Sequence, residues 1–223
     1  MRLLVNLFFY LLPVLAFIGC SDDCADSFSA SDIVAYRGVV SGKSVFTLTK
    51  PGSADVITYT ASGEVLDSEK VKVGQRVMLD YTPADGRAPY TSGAVCVNGC
   101  YLISNAEMLT GRGDGLVVEN TEPVFLQSVW LSESFLNLNV KLPYDDEARL
   151  LSLVLDLDSP DPECPDLYLF HRRQDDGQSF MRRYYVSYDI SQLLAEPLVK
   201  AFTLRLDNSN LPATAFKIQI PGR

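Results

Sequence analysis

A single histidine, His171, and a single tryptophan, Trp130, occur in 223 residues. One imidazole cannot build a multi-histidine metal site, and it confines Ser–His or Cys–His chemistry to the surroundings of one position. Basic residues are also scarce: 19 Lys and Arg face 28 Asp and Glu, giving a formal net charge of −9 and a pI near 4.6. A nucleic-acid face needs clustered cations to displace counterions from phosphates, so this balance argues against nucleic acid as a partner. No long window places apolar residues at i, i+3, i+4 and i+7, which argues against a helical fold. What is present is a 47% hydrophobic chain with 11 Phe and 11 Tyr, a globular and not a disordered composition. The length suits one large or two small domains.

The mean hydropathy of +0.08 conceals an uneven distribution, because the N-terminus carries much of the apolar excess. Arg2 is followed by an apolar run from Leu3 to Ile18, broken by Asn6 and Pro13, and then by Gly19 and Cys20. This is the layout of a secretory signal, residues 1–19, and it is short of the roughly 20 apolar residues that a spanning helix needs. Phe17-Ile18-Gly19-Cys20 resembles the lipobox of bacterial lipoproteins, with Phe17 in place of the usual Leu. The resemblance implies that Cys20 becomes the first mature residue and the lipid attachment site. Several acyl chains, at about 0.8 kcal/mol per buried CH₂, hold a soluble domain stably on a membrane. Residues 20–31 then read as a flexible acidic tether beginning Cys20-Ser21-Asp22-Asp23-Cys24. Such an acidic run resembles the export signal of lipoproteins that reach the outer face of the outer membrane in some Gram-negative anaerobes. Outer-membrane anchoring with surface exposure is therefore expected, the periplasmic face being the alternative. Removing residues 1–19 takes away Arg2 and no acid, so the −9 becomes −10 in the mature chain.

With Cys20 acylated, Cys24, Cys96, Cys100 and Cys164 remain, and four cysteines allow three connectivities. Cys96 and Cys100 either flank an Asn98-Gly99 turn or, if the strand continues, share a face about 13 Å apart; neither geometry suits a disulfide between them. No second close Cys or His pair completes a zinc site. Free, partly buried thiols are the expectation for all four.

Alternation with period two recurs throughout the mature chain. Residues 33–40, 45–49, 56–60, 76–82 and about 94–103 read as five short strands with Ser41-Gly42 and Pro51-Gly52 turn signals. Five strands opening with a meander fit an OB-like small β-barrel, placed at 32–112. Leu109-Thr110-Gly111-Arg112-Gly113-Asp114-Gly115 breaks the periodicity and reads as the linker. Beyond it, in 113–223, Leu136 to Leu142, Leu150 to Leu157, Asp166 to Arg172, Tyr184 to Ile190, Phe202 to Leu206 and Phe216 to Ile220 read as strands of a β-sandwich. Short helical pieces are expected at 105–109 and 191–195. The fold class is thus all-β, an N-terminal OB-like barrel followed by a C-terminal β-sandwich.

Motifs for chemistry are mostly incomplete. Ser41-Gly42-Lys43-Ser44 ends like a phosphate-binding loop, but Arg37 occupies the position of the required upstream glycine. Arg112-Gly113-Asp114 reads as turn-forming sequence and not as an adhesion motif. Asp156, Asp158, Asp161 and Glu163 have the density of a calcium site, but Pro160 and a missing glycine break the register, leaving an exposed acidic loop. His171 shares its strand face with Leu167 and Leu169, so a packed histidine is expected there and not a base for Cys164. Tyr168, Tyr184, Tyr185 and Tyr188 could form a stacking platform where exposed, strand packing being the plainer reading. No metal, cofactor or catalytic residue is singled out.

Together, Gly19-Cys20 with its acidic follow-on, Gly74-Gln75-Arg76-Val77-Met78-Leu79-Asp80-Tyr81, Val129-Trp130-Leu131 with Phe135-Leu136-Asn137-Leu138, Leu167-Tyr168-Leu169-Phe170-His171, Asp175-Asp176-Gly177 and Val186-Ser187-Tyr188-Asp189-Ile190 resemble the NigD-like lipoproteins. The resemblance covers nearly the whole chain and implies lipid anchoring through Cys20 and the two-domain β architecture. The family name comes from a gene in a bacteriocin operon, which implies an immunity role; no catalytic residues carry over. The expectation is a non-catalytic, lipid-anchored cell-envelope protein acting by binding an unknown protein or glycan partner. A surface glycan-binding accessory would show exposed Tyr185 beside another ring. A carboxylate-based hydrolase would show two acids within about 10 Å in a pocket.

Overall fold

The computed structural model describes residues 29–50, 53, 55–67, 71–112, 116, 122–144, 150–172 and 180–223. Cys20, Cys24 and most of the tether lie outside the described residues, as does the Asp175-Asp176-Gly177 segment.

The first five strands, β1 (Ala30–Val40), β2 (Lys43–Thr49), β3 (Val56–Ser62), β4 (Arg76–Pro83) and β5 (Gly93–Leu102), close into a barrel in the order β1-β2-β3-β5-β4. The alternation drives closure. Phe46 and Leu48, Ile57, Tyr59 and Ala61, and Val77, Leu79 and Tyr81 all point inward and are buried with Val34 and Tyr36. Each fully buried side chain of this size contributes roughly 1.5–3 kcal/mol. Ser41 and Gly42 have φ of 51° and 73°, the left-handed pair of a type I′ hairpin turn. Lys43 and Ser44 therefore belong to β2, and Ser44 is buried, donating to the Gly63 carbonyl and accepting from the Val65 amide.

Two expectations for β5 are corrected. Asp80 pairs with Gly99 but Tyr81 pairs with Val97, so Asn98 is the extra residue of a β-bulge and not part of a turn. The bulge also reverses the side-chain alternation. Val95, Val97 and Cys100 pack toward the barrel core, which leaves Cys96 on the outside; the two cysteines do not share a face. Cys100 and Cys164 are free, whereas Cys96 is disulfide-bonded and so is not the free thiol expected.

The remaining strands form two facing sheets. One runs β14 (Ala215–Gln219), β13 (Ala201–Leu206), β11 (Asp166–Arg172), β10 (Leu150–Asp156), β7 (Leu109–Gly111); the other runs β6 (Ser104–Glu107), β12 (Met181–Asp189), β9 (Phe135–Pro143), β8 (Phe125–Ser132). Leu136, Leu138, Val140 and Leu142 meet Leu153, Leu167, Leu169, Phe202 and Leu204 in the core between them. The helix α1 (Ser191–Ala195) forms where it was expected.

Residues 105–109 are not helical. β6 pairs in parallel with β12 and β7 in parallel with β10, so this segment adds one edge strand to each sheet, with buried Met108 between them. Pairing with preformed strands satisfies the backbone polar groups better than an isolated helical turn would, and tertiary context overrides local preference. Sandwich pairing thus begins at Ser104, upstream of the glycine-rich stretch.

Candidate functional site

The outer face of the β6-β12-β9-β8 sheet is set by the inward leucines of β9, which leave Phe135, Asn137 and Asn139 pointing the other way. Register then places Trp130 and Ser132 of β8 and Tyr185 and Ser187 of β12 on that same outer face. This face meets the barrel at Arg76. Arg76 sits on the outward side of β4, yet it is fully buried because the sandwich covers it. Its Nη2 donates to Ser132 Oγ at 2.6 Å and more weakly to the Ile33 carbonyl at 3.4 Å. Its guanidinium carbon lies 4.7 Å from the centre of the Phe135 ring, and Glu133 Oε2 is 3.8 Å from Nη1. Ser132 Oγ also accepts from Asn137 Nδ2 at 2.8 Å, and Ser187 Oγ donates to Asn137 Oδ1 at 2.5 Å. A buried polar chain therefore runs from the barrel across three strands of the sandwich sheet.

Beside this junction the two domains leave a cleft of about 890 Å³. Its barrel wall carries Ser31, Asp32, Met78, Lys50 and Tyr90. Its sandwich wall carries Trp130, Glu133, Asn139 and Tyr185, with Leu194 and the C-terminal residues Ile220 to Arg223 at one side. Trp130, Tyr185 and Tyr90 are each half-buried, with ring surface available to the cleft. Arg223 is anchored by donating to the carbonyls of Glu196, Val199 and Leu194 around the end of α1. Three non-glycine residues among those described have φ above zero, and two of them, Tyr90 at 61° and Glu133 at 54°, line this cleft. Such conformations are uncommon for side chains of this size and tend to gather at functional sites.

Asp32 anchors the barrel wall. Its Oδ2 accepts from Tyr81 Oη at 2.9 Å and its Oδ1 from Tyr90 Oη at 3.2 Å. Tyr59 Oη and Tyr81 Oη are 2.7 Å apart, and the Tyr90 amide donates to Tyr59 Oη at 3.2 Å. Since Tyr81 gives its proton to Asp32, Tyr59 must give its own to Tyr81. The chain has one direction, from the Tyr90 amide through Tyr59 and Tyr81 to the carboxylate. Burial raises the Asp32 pKa above its ordinary value, with the two tyrosine hydrogen bonds acting against it. Burial, with the Tyr59 and Asp32 interactions added, drives the Tyr81 phenol far upward. Both Asp32 oxygens are occupied by protein donors, so the cluster fixes the Tyr90 ring at the cleft.

The other residues singled out from sequence fall elsewhere. His171 is 1% exposed, its Nδ1 3.3 Å from the Glu122 carbonyl, as expected for a packed histidine. Cys164 Sγ lies 3.6 Å from Thr203 Oγ1 and forms no dyad with His171. Tyr188 is in the core, Tyr184 packs against it, and Tyr168 stacks with Phe170 at 6.2 Å on the outside of the opposite sheet. Only Tyr185 of the four reaches the cleft. In the acidic loop, Asp156 caps the Asp158 amide and Asp161 the Glu163 amide, Asp158 pairs with Arg112, and Glu163 pairs with Lys200. No group of acids, histidines and cysteines among the described residues could hold a metal ion. Among them, no helix is long and apolar enough to cross a membrane. Asp32, Tyr90 and the buried role of Arg76 were not visible as site features in the sequence.

No protein-family model and no curated protein sequence matches the chain. Solved structures do. A protein of unknown function from Bacteroides vulgatus superposes with a TM-score of 0.67 at 12% identity, over 88% of this chain and 92% of that one. A NigD-like immunity protein from Bacteroides caccae gives 0.56 at 15% identity over 84% and 90%. A candidate lipoprotein from Bacteroides fragilis gives 0.57 at 13% identity over 86% and 98%. The expected NigD-like architecture is borne out: the chain has the fold of these proteins across both domains.

Proposed function

We propose that this chain is a lipid-anchored envelope protein, attached to the outer membrane through Cys20, that acts by holding a partner in the interdomain cleft and performs no catalysis. The observation that carries the reading is the set of three half-buried rings at one cleft, Tyr90 held by its hydrogen bond to Asp32 and Trp130 and Tyr185 carried on the paired strands β8 and β12. Aromatic anchors on rigid elements lose little side-chain freedom on binding, which is why they dominate recognition surfaces. Of the two side-chain carboxylates on the cleft walls, Asp32 accepts from two tyrosines and Glu133 forms a loose ion pair with Arg76 at 3.8 Å. The NigD-like immunity protein of the same fold supports a protein partner of the immunity kind, and the lipoprotein neighbour supports anchoring. A photo-crosslinking residue at Tyr185 in intact cells tests this. A discrete protein adduct that disappears with Trp130→Ala is expected, and no adduct above that of a probe at Tyr168 would refute it.

A second reading is favoured by one observation. Tyr185 and Trp130 lie on the same sheet face two strands apart with Asn139 between them, about 12 Å by strand spacing and rise. Two flat rings flanking an amide suit a saccharide chain laid along the cleft. Trp130 is the sole tryptophan, so its fluorescence reports on the cleft. A saturable shift on adding envelope oligosaccharides supports this reading, and an unchanged spectrum dismisses it.

A further inference from the structure

We propose that the partner of the cleft is an extended polypeptide segment that joins the sandwich as an added strand beside β8. The proposal rests on the cleft reading above and deepens it.

β8 is the last strand of its sheet and pairs with β9 on one side only. The Glu133-Ser134 turn makes Ser132 and Phe135 a hydrogen-bonded pair, and two residues on Trp130 and Asn137 are another. The N–H and C=O groups of Val129 and Leu131 therefore point away from β9, in two sets about 7 Å apart. Among the described residues no other element bonds to them. Upstream the same edge is closed. Asn210 Nδ2 donates to the Leu126 carbonyl and Asn210 Oδ1 accepts from the Leu126 amide, both at 2.9 Å, as a neighbouring strand would. The Val124 amide donates to the Asp207 carbonyl, and its carbonyl accepts from Ser209. The bulge at Gln127 separates the closed half from the open one. Burial shows the same division: Val129 and Leu131 pack toward the sandwich core yet stay half-buried, while their register partners Leu138 and Leu136 are fully buried.

This edge differs from the others in the sandwich. Exposed edges are ordinarily blunted by shortness, charge, proline or a bulge. β6 and β7 have four and three residues, and β14 has five with Lys217 at its centre. Ser128 to Ser132 carries no charge and no proline, and Trp130, Leu131 and Ser132 line the cleft. With about 4.8 Å between strands, about 10 Å between layers and about 3.3 Å per residue, one residue of an added strand fills about 160 Å³. The cleft of about 890 Å³ thus accommodates a strand of about five residues and not the sheet of a second copy. A polypeptide backbone repeats donors and acceptors at the spacing of Val129 and Leu131, which favours an extended peptide over a saccharide. Its alternate side chains would cover Val129 and Leu131 on one face and rest against Trp130 on the other. An uncharged segment rich in β-branched and aromatic residues fits both.

The test uses full-length protein in detergent and, as probe, peptides enriched on it from a random-sequence library displayed on phage. Amide hydrogen exchange is followed residue by residue with and without saturating peptide. Exchange at Val129 and Leu131 should slow by about tenfold or more, while the Ser128 and Trp130 amides, already bonded to β9, stay unchanged. Val129→Pro removes one outward amide, leaves the ladder to β9 intact, and should weaken peptide binding by about tenfold, read from Trp130 fluorescence. Peptides that shift the Trp130 emission but leave both amides exchanging as in the free protein would overturn edge pairing and leave the cleft reading standing. A Tyr185 crosslink in intact cells that survives Val129→Pro would do the same. Failure to enrich any peptide would also overturn it, as would protection that grows with protein concentration alone, the mark of a second copy. Protection of both amides by peptide, with no wild-type Tyr185 adduct in cells, supports edge pairing and counts against the cleft reading alone. The wild-type exchange decides the matter even if the variant fails to fold.

Discussion

Replacing Arg76 by methionine and by alanine separates the charge of the buried guanidinium from the volume it fills. In its favour are a charged hydrogen bond to Ser132, about 1.5–3 kcal/mol, and a desolvated cation–π contact with Phe135, about 2 kcal/mol. Against it stands desolvation of a cation with no exposed surface, an effective penalty of several kcal/mol. Compensation is incomplete: Nε and Nη1 make no hydrogen bond, and Glu133 at 3.8 Å is partly solvated. These contributions nearly cancel, so Arg76→Met should lie within about 1 kcal/mol of wild type. Arg76→Ala also loses the packed stem and opens a cavity at the junction, for about 3–4 kcal/mol. Urea unfolding with a common slope measures both. If methionine costs as much as alanine, the charge and not the packing holds the domains together, and the reasoning fails.

Other expectations concern the tyrosine chain and the thiols. Tyr81→Phe deprives Asp32 of one donor and buried Tyr59 of its acceptor, and should cost about 1–3 kcal/mol in the same unfolding assay; no loss would show the chain is not formed. The raised Asp32 pKa means that folding favours its protonated form. That contribution to stability is full below the ordinary value of 3.8 and is lost as pH rises through the higher folded value. Asp32→Asn should therefore flatten the melting temperature against pH across this window and raise it at neutral pH; a steeper profile would contradict the assignment. Cys100, half-buried and with its pKa pushed up to about 11, should resist alkylation at neutral pH until the protein unfolds, and rapid native labelling would refute its inward placement.

The strands were legible because each buries one face, and a period of two is written directly into residues such as Val77, Leu79, Tyr81 and Leu136, Leu138, Val140. The short helix at Ser191–Ala195 also forms where it was expected, with Leu193 buried. What escaped were features created by a second element. The Asn98 bulge is a register property of β4 against β5, so nothing at Cys96 or Cys100 announces which face each takes. Residues 104–111 become strands only because β12 and β10 offer edges to pair with. Arg76 sits where alternation predicts solvent, and only the docked sandwich makes it interior. The cleft is the same kind of feature. Trp130 and Tyr185 are far apart in sequence and Asp32 and Tyr90 are in the other domain, so the site exists only once two registers and one interface are set.

The central claim is that the interdomain cleft is where this protein meets its partner. Photo-crosslinking probes placed singly at Tyr185, in the cleft, and at Tyr168, on the opposite sheet, test it in intact cells. The account predicts a discrete adduct from Tyr185 that Trp130→Ala abolishes while the fold, measured by unfolding, is retained. An adduct from Tyr168 with none from Tyr185 would contradict it.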